Sequence, residues 1–423
     1  MRLTSNKLIA SAYPAYRVPH LISISSIISA VIPCMAWLAH LSLDQNRGVA
    51  QPILPLTEMP ATSYVLEGSI LITGAGGTLA TSLISKIVSR RDLCSKYYGI
   101  YAARNLASPS SSRLHSILQR ESQQDLHQHE VLELDLCSLK DVRDVAARIN
   151  WRVAMGEIPR IRVLVLNAGV VEGGGQRFSE DGFDGTFQVV YLGHWLLTMM
   201  LLESMDPERG RVVVLGSWAH DPEAPESRSQ GLYVGEVWQT FVTGSTTEAI
   251  ARGTWSATAD YPRDSMVGLR RYGAAKCFAV MMMYELQKRL NTDPVLSNIS
   301  VLAIDPGWMA TNLWRDRGAL ATTLYKVFLP VAALFLKLGN ANAMIRTVGR
   351  SADDVLRAAF DTSAEGPLGE HPKAVYLNGR ARVQTSRESR DERKQKMLWR
   401  ETIGYARLRE GDTALRDWRS SFT

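Results

Sequence analysis

The sequence predicts an α/β domain built on a doubly wound parallel sheet. Three observations carry that prediction. Six short apolar runs recur between residues 69 and 307 (SILITG, YYGIYAAR, HEVLELDL, RVLVLNAG, RVVVLGS and NISVLAIDPG), with helical segments between them. Runs that are mostly apolar, instead of alternating with polar residues, suit strands buried on both faces, as in a parallel sheet. The first run ends in a glycine-rich turn, AGGTLA, and an amphipathic segment, TSLISKIVSR, follows it. Strand, tight turn and helix in that order open a βαβ unit.

Composition sets the outer limits. The chain has 423 residues, 46% hydrophobic and 21% charged. That is ordinary for a globular protein and excludes a disordered, collagen-like or polytopic membrane chain. The net charge is +6, and residues 380–423 hold 12 Lys/Arg against 7 Asp/Glu, so the tail carries most of it. The near-neutral remainder argues against a nucleic-acid footprint. Cys34, Cys94, Cys137 and Cys277 are widely spaced and match neither a disulfide framework nor a zinc pattern. His127 and His129 have HxH spacing without a nearby partner in sequence and read as a solvated strand end.

Four segments follow in order. Residues 1–43 lack any acidic residue, and Arg2, Lys7 and Arg17 precede a charge-free run of nineteen residues, 21–39. That length is about enough to cross a hydrocarbon core as a helix. Three readings stay open: a signal-anchor helix, a cleaved signal or transit peptide, or a helix packed on the catalytic domain. They imply a membrane-associated protein of the endoplasmic reticulum, with cytoplasmic or mitochondrial placement as alternatives. Residues 44–67 read as a linker, with Pro52, Pro55 and Pro60 in a polar setting. Residues 68–380 hold the strands and include a long insert, 221–269, of the kind that is more often functional than slack. Residues 381–423 form a charged extension in which 385–410 read as a late surface helix.

The turn after the first strand is Thr73-Gly74-Ala75-Gly76-Gly77-Thr78-Leu79-Ala80. Gly74 permits the tight turn, Gly77 lets the backbone approach a pyrophosphate, and Ala80 allows close helix–strand packing. Amides around Thr78 and Leu79 would face the phosphates at the helix N-terminus. This is a dinucleotide fingerprint in a Rossmann context. An acidic residue after the second strand would select NAD through the ribose 2′-hydroxyl; Arg104 stands there instead, and a guanidinium pairs with the 2′-phosphate of NADP(H). Asp135, at the end of the third strand, lies where it can meet the adenine.

The chemistry is carried further along. Tyr272 and Lys276 are four residues apart on one predicted helix, RRYGAAKCFAVMMMYELQKRL, and so share a face. A phenol with a pKa of about 10 is a poor proton donor at neutral pH, and a nearby ammonium lowers that value. Ser217 ends the fifth strand, where it can donate to a substrate carbonyl, and Asn167 ends the fourth at the same edge of the sheet.

The order TGAGGTLA, LNAG, GSWAH, YGAAK, DPGWMAT resembles the short-chain dehydrogenase/reductase family over residues 68–380. LNAG, GSWAH and RRYGAAK are similar to retinol-dehydrogenase-like reductases. RRYGAAK, YELQKRL and DPGWMATNL are similar to reductases of filamentous-fungal natural-product pathways. The resemblance implies Tyr272 as proton donor and acceptor, Lys276 as pKa modifier and ribose ligand, and Ser217 as carbonyl stabiliser. It also implies Asn167 beneath the cofactor and Thr311 near the nicotinamide amide. One departure stands out. The family's FQVxYLGH segment normally carries Asn at x, where it helps hold a relay water, and this chain has Val190. A catalytically weak cofactor-binding scaffold is therefore the alternative to an active reductase.

On the substrate side, Trp218, Trp308, Trp314, Trp238 and Trp255 are candidates for lining a cleft that takes a bulky lipophilic molecule. The apolar segment 319–338 reads as a lid or a membrane-resting helix. The implied reaction interconverts a ketone and a secondary alcohol, on a natural-product intermediate first and on a steroid, retinoid or long-chain lipid second.

Overall fold

A computed structural model describes residues 65–121, 126–173, 175–256, 266–309, 345–363 and 368–419. The six expected strands are all present: β1 (Gly68–Thr73), β2 (Tyr97–Ala103), β3 (His129–Glu133), β4 (Ile161–Leu166), β5 (Arg211–Leu215) and β6 (Ser300–Asp305). Two short ones follow, β7 (Val375–Asn378) and β8 (Ala381–Arg382), which the sequence did not announce because four and two residues carry no usable pattern. The third strand ends at Glu133, earlier than expected, so Asp135 lies in the turn beyond it.

Among the described residues one sheet runs β3-β2-β1-β4-β5-β6-β7-β8. Every pair is parallel except β7 with β8. The strand order reverses between β1 and β4. A doubly wound sheet opens its ligand crevice at such a point, beyond the carboxyl ends of the strands.

Helices connect the strands: α1 (Thr78–Ser89), α2 (Pro109–Glu121), α3 (Leu139–Ala154), α4 (Gly185–Ser204), α5 (Val267–Thr292) and α6 (Val348–Phe360). A last helix, α7 (Glu392–Ala406), follows the sheet. Successive strand side chains point to opposite faces. Ile70 and Ile72 join the core shared with α1, α2 and α6, while Leu71 joins the core shared with α3, α4 and α5. Among the described residues, α4 is the one helix long and apolar enough to cross a membrane, but 94% of its apolar window is buried inside the protein. It is a core helix.

The C-terminal helix departs from expectation. Charged residues dominate α7, yet Leu398, Trp399 and Thr402 are buried. The Trp399 ring meets Trp195 of α4 edge-on at 5.2 Å, and the Tyr191 and Thr402 hydroxyls are 2.7 Å apart. The helix is thus packed on one side and solvated on the other, and the count of charges hid a narrow apolar stripe. The extension also braces the insert. The Glu388 carboxylate accepts from Phe241 N and Val242 N, both at 2.8 Å, and the Glu401 carboxylate accepts from Thr247 N at 2.7 Å.

Candidate active site

The turn between β1 and α1 has the geometry its sequence implied. Gly74 sits at φ +65°, and a Cβ there would lie 2.9 Å from Ala168 Cα, so only glycine fits. Asn167 fixes the turn from the next strand: its side-chain amide donates to Thr73 O at 2.8 Å, and its backbone N–H donates to Thr73 Oγ1 at 2.9 Å. Thr73 Oγ1 in turn lies 2.8 Å from His194 Nε2 of α4. The other ring nitrogen, His194 Nδ1, is 3.3 Å from Val190 O. A carbonyl only accepts, so Nδ1 carries the hydrogen and Nε2 accepts from Thr73. Burial, reinforced by Lys276, pushes the His194 pKa down to about 3, which keeps the ring neutral.

Ser217 lies just past β5. Its Oγ accepts from Ala219 N at 3.3 Å, and its side chain lies near enough to the Tyr272 phenol to favour the ionised form slightly. Tyr272 and Lys276 stand one turn apart near the start of α5, both buried. Lys276 Nζ donates to Leu215 O at 2.6 Å and lies 5.4 Å from the Tyr272 ring centroid. The electrostatics differ from the simple expectation that the lysine lowers the phenol. Burial raises the Tyr272 pKa, the Asp305 carboxylate adds to the rise, and the Ser217 side chain opposes it. Burial also lowers Lys276 to about 8, with Asp305 holding it partly up. Desolvation is the largest influence on both groups because both sit deep in the protein.

These groups border one cavity of about 1170 Å³. Gly74, Gly77, Thr78, Leu79, Arg104 and Asp135 line it. Asn167, Ser217, Tyr272 and Lys276 line it as well, together with Trp218, Trp308, Met266 and Leu269. Ten of the predicted catalytic and cofactor residues, with Trp218 and Trp308, are therefore brought together; Thr311 lies outside the described residues, as do Trp314 and the segments 21–39 and 319–338. The glycine cradle, the opening of α1 and the volume of the cavity fit a dinucleotide. Arg104 is exposed at the cavity edge and also borders a smaller hollow of about 460 Å³ with Glu133, Asp135, Asp141, Asp144 and Arg148. The Asp135 carboxylate accepts from Cys137 N at 3.0 Å.

Other expectations are corrected. Trp238 and Trp255 do not line the cavity. They pack edge-on at 5.3 Å, where Trp238 joins the core shared with α3, α4 and α5 and Trp255 packs against it. His127 is buried, not solvated: Tyr101 OH lies 2.8 Å from its Nε2 and Cys94 O 3.2 Å from its Nδ1. Val190 is buried inside a π-helical turn, Gln188–Leu192, where its backbone carbonyl, not a side chain, holds the polar contact. The sequence reading missed Thr73, His194, His220 and Tyr376, whose contacts join distant parts of the chain. The motifs GSWAH and FQVxYLGH contain both histidines but gave no hint of these contacts.

The fold and these motifs agree with the comparisons. The short chain dehydrogenase family model matches residues 69–227. The short-chain dehydrogenase iccH of Talaromyces variabilis is 43% identical over 83% of this chain and 99% of its own length. The chain belongs to the short-chain dehydrogenase/reductase family and is an oxidoreductase. A polyprenol dehydrogenase of Danio rerio is 29% identical over 69% of this chain and 75% of its own. Among solved structures, an NADPH-bound carbonyl reductase from chicken fatty liver aligns with a TM-score of 0.46 and 13% identity, covering 75% of this chain and 99% of that one.

Proposed function

We propose that the enzyme interconverts a ketone and a secondary alcohol on a bulky lipophilic molecule, with NADP(H) as its cofactor. The observation that carries this reading is the meeting of Ser217, Tyr272 and Lys276 with the β1–α1 turn along one cavity. When bound, the cofactor supplies or takes the hydride at its nicotinamide. The protein does the rest. The Ser217 and Tyr272 hydroxyls hold the carbonyl oxygen, and Tyr272 gives it a proton during reduction. Lys276 stands one turn away to restore that proton and to hold the ribose. Asn167 keeps the phosphate turn in place, and Arg104 pairs with the 2′-phosphate. Trp218 and Trp308, 6.2 Å apart and tilted by 54°, with Met266 and Leu269 favour a large apolar substrate. A natural-product intermediate is our first substrate class, and a steroid, retinoid or long-chain lipid the second.

Cofactor fluorescence tests the reading directly. NADPH should bind more tightly than NADH by about tenfold or more, the scale of a charge-assisted pair. Arg104→Asp should reverse that preference, since it removes the guanidinium and adds repulsion. Equal or tighter binding of NADH to the native chain would take Arg104 out of the site. We propose further that residues 21–39 hold the protein on a membrane of the endoplasmic reticulum. The native chain should then stay in the membrane fraction through a carbonate wash, while a chain starting at Ser69 is released. Full release of the native chain by the wash would overturn the anchor.

A further inference from the structure

The carbonyl oxygen of Ser217 is unusually well held for a residue at the end of a strand. His220 Nδ1 lies 2.6 Å from it, His220 N donates to it at 3.1 Å, and Tyr376 OH donates at 3.3 Å. The other side of the His220 ring faces the C-terminal extension, where Ser386 N donates to His220 Nε2 at 3.2 Å. A backbone N–H only donates and a backbone carbonyl only accepts. These two contacts therefore fix His220 as the neutral ring with its hydrogen on Nδ1. Charge would disrupt the Ser386 contact, and the opposite tautomer would disrupt both. The ring is buried, its centroid is 4.9 Å from that of Tyr376, and burial lowers its pKa in support of the neutral form.

Ser386 reaches the second half of the site as well. Its hydroxyl lies 3.9 Å from the sulfur of Cys277, the residue after Lys276. One serine of the extension thus touches the backs of both the serine loop and the tyrosine–lysine helix. Nothing in the catalytic chemistry requires the extension to come this close, yet the contacts converge on the two segments that carry the chemistry.

We propose that His220 is a positioning residue for the reaction, transmitting the hold of Ser386 to the peptide of Ser217. The Nδ1–H bond fixes the carbonyl of Ser217 and so the direction of its hydroxyl toward Tyr272. The inference rests on the proposed role of Ser217 as the residue that holds the substrate carbonyl.

Two measurements test it. The first needs no substrate. In protein labelled with ¹⁵N-histidine, assigned by the signal lost in His220→Gln, His220 should appear as the neutral Nδ1–H tautomer with and without NADPH. A charged ring or the Nε2–H tautomer would overturn the inference whatever the enzyme acts on. The second uses NADPH with 9,10-phenanthrenequinone as a probe ketone. His220→Asn keeps a donor near the Nδ1 position, and His220→Gln keeps an acceptor near the Nε2 position. The Asn variant should lose less than about threefold in kcat and the Gln variant about tenfold or more, since small misplacements of a reacting group are costly. NADPH affinity should be unchanged in both. Equal kcat losses in the two variants, or normal kcat in both with only a lower Tm, would reduce His220 to a packing residue. Absence of quinone turnover by a native chain that binds NADPH would count against the proposed function instead, and the tautomer would still decide this inference.

Discussion

At the scale of single residues, the site depends on a phenol that burial holds in its protonated form. The Tyr272 pKa is raised, so at neutral pH the residue carries the proton that a carbonyl oxygen needs on reduction. Tyr272→Phe removes the phenolic hydroxyl and leaves the ring in the cavity wall. Turnover should fall by about 10²–10⁴-fold, the usual worth of a positioned general acid. NADPH affinity measured by fluorescence should stay within about twofold, because the ring and its packing remain. Residual turnover above a tenth of the native rate would remove Tyr272 from the proposed role. The residues that spell short motifs were legible in advance: Gly74, Asn167, Ser217, Tyr272 and Lys276 all line the cavity. Those that act through long-range contacts were not. Thr73 meets His194 across 121 positions, and His220 meets Ser386 across 166. No local pattern encodes either pair, since the first is made only when β1 packs on α4 and the second only when the serine loop meets the extension. Lys276 shows a different limit, because the sequence supplied its spacing but not its desolvation, which brings its pKa to about 8.

At the scale of elements, strands and the catalytic helix were legible because their patterns are long and their flanking turns glycine-rich. The C-terminal helix was misjudged because Leu398, Trp399 and Thr402 form too thin a stripe among many charges. The catalytic helix also explains a glycine that its motif merely permits. A Cβ at Gly273 would run into the hydroxyl of Tyr233 and come within 2.5 Å of Ala219 O. Tyr233 OH donates to that same carbonyl at 2.6 Å, so the insert, the serine loop and α5 all meet over this one missing side chain. Gly273→Ala should therefore force the loop or Tyr233 to move, even though alanine favours a helix over glycine by about 1 kcal/mol. Overpacking of a closed core costs about 1–3 kcal/mol, which exceeds the propensity gain over most of that range. Urea unfolding should show a net loss of stability, and kcat should fall with it because Ala219 is two residues from Ser217. A variant more stable than the native chain would mean that the three segments do not close on Gly273 as described.

At the scale of the whole molecule, buried neutral histidines make the fold sensitive to acid. Burial lowers His127 to about 4 and His194 to about 3, against an ordinary value of 6.5. Between about 4 and 6.5 the unfolded chain binds protons at both positions and the folded chain does not. Stability from these groups is therefore complete above pH 6.5 and is lost as the pH falls. His220 shifts in the same direction. Asp184, Asp305 and Glu172 oppose the trend, because burial raises them and their protonation favours the folded state in acid. The two classes can be separated with one variant. His127 is far from the reacting groups, with its ring between Tyr101 and Cys94 O. His127→Gln removes one titrating site, whatever it costs in absolute stability. Urea unfolding from pH 7.5 to 4.5 should show native stability falling toward acid, with each fully titrating histidine contributing about 1.4 kcal/mol per pH unit to the slope. The variant should be less stable at pH 7.5, where a buried hydrogen-bonded ring has been replaced, and should lose less on acidification. A variant curve parallel to the native one over the whole range would show that His127 takes up its proton in the folded state, and the acid sensitivity would then have to originate elsewhere in the core.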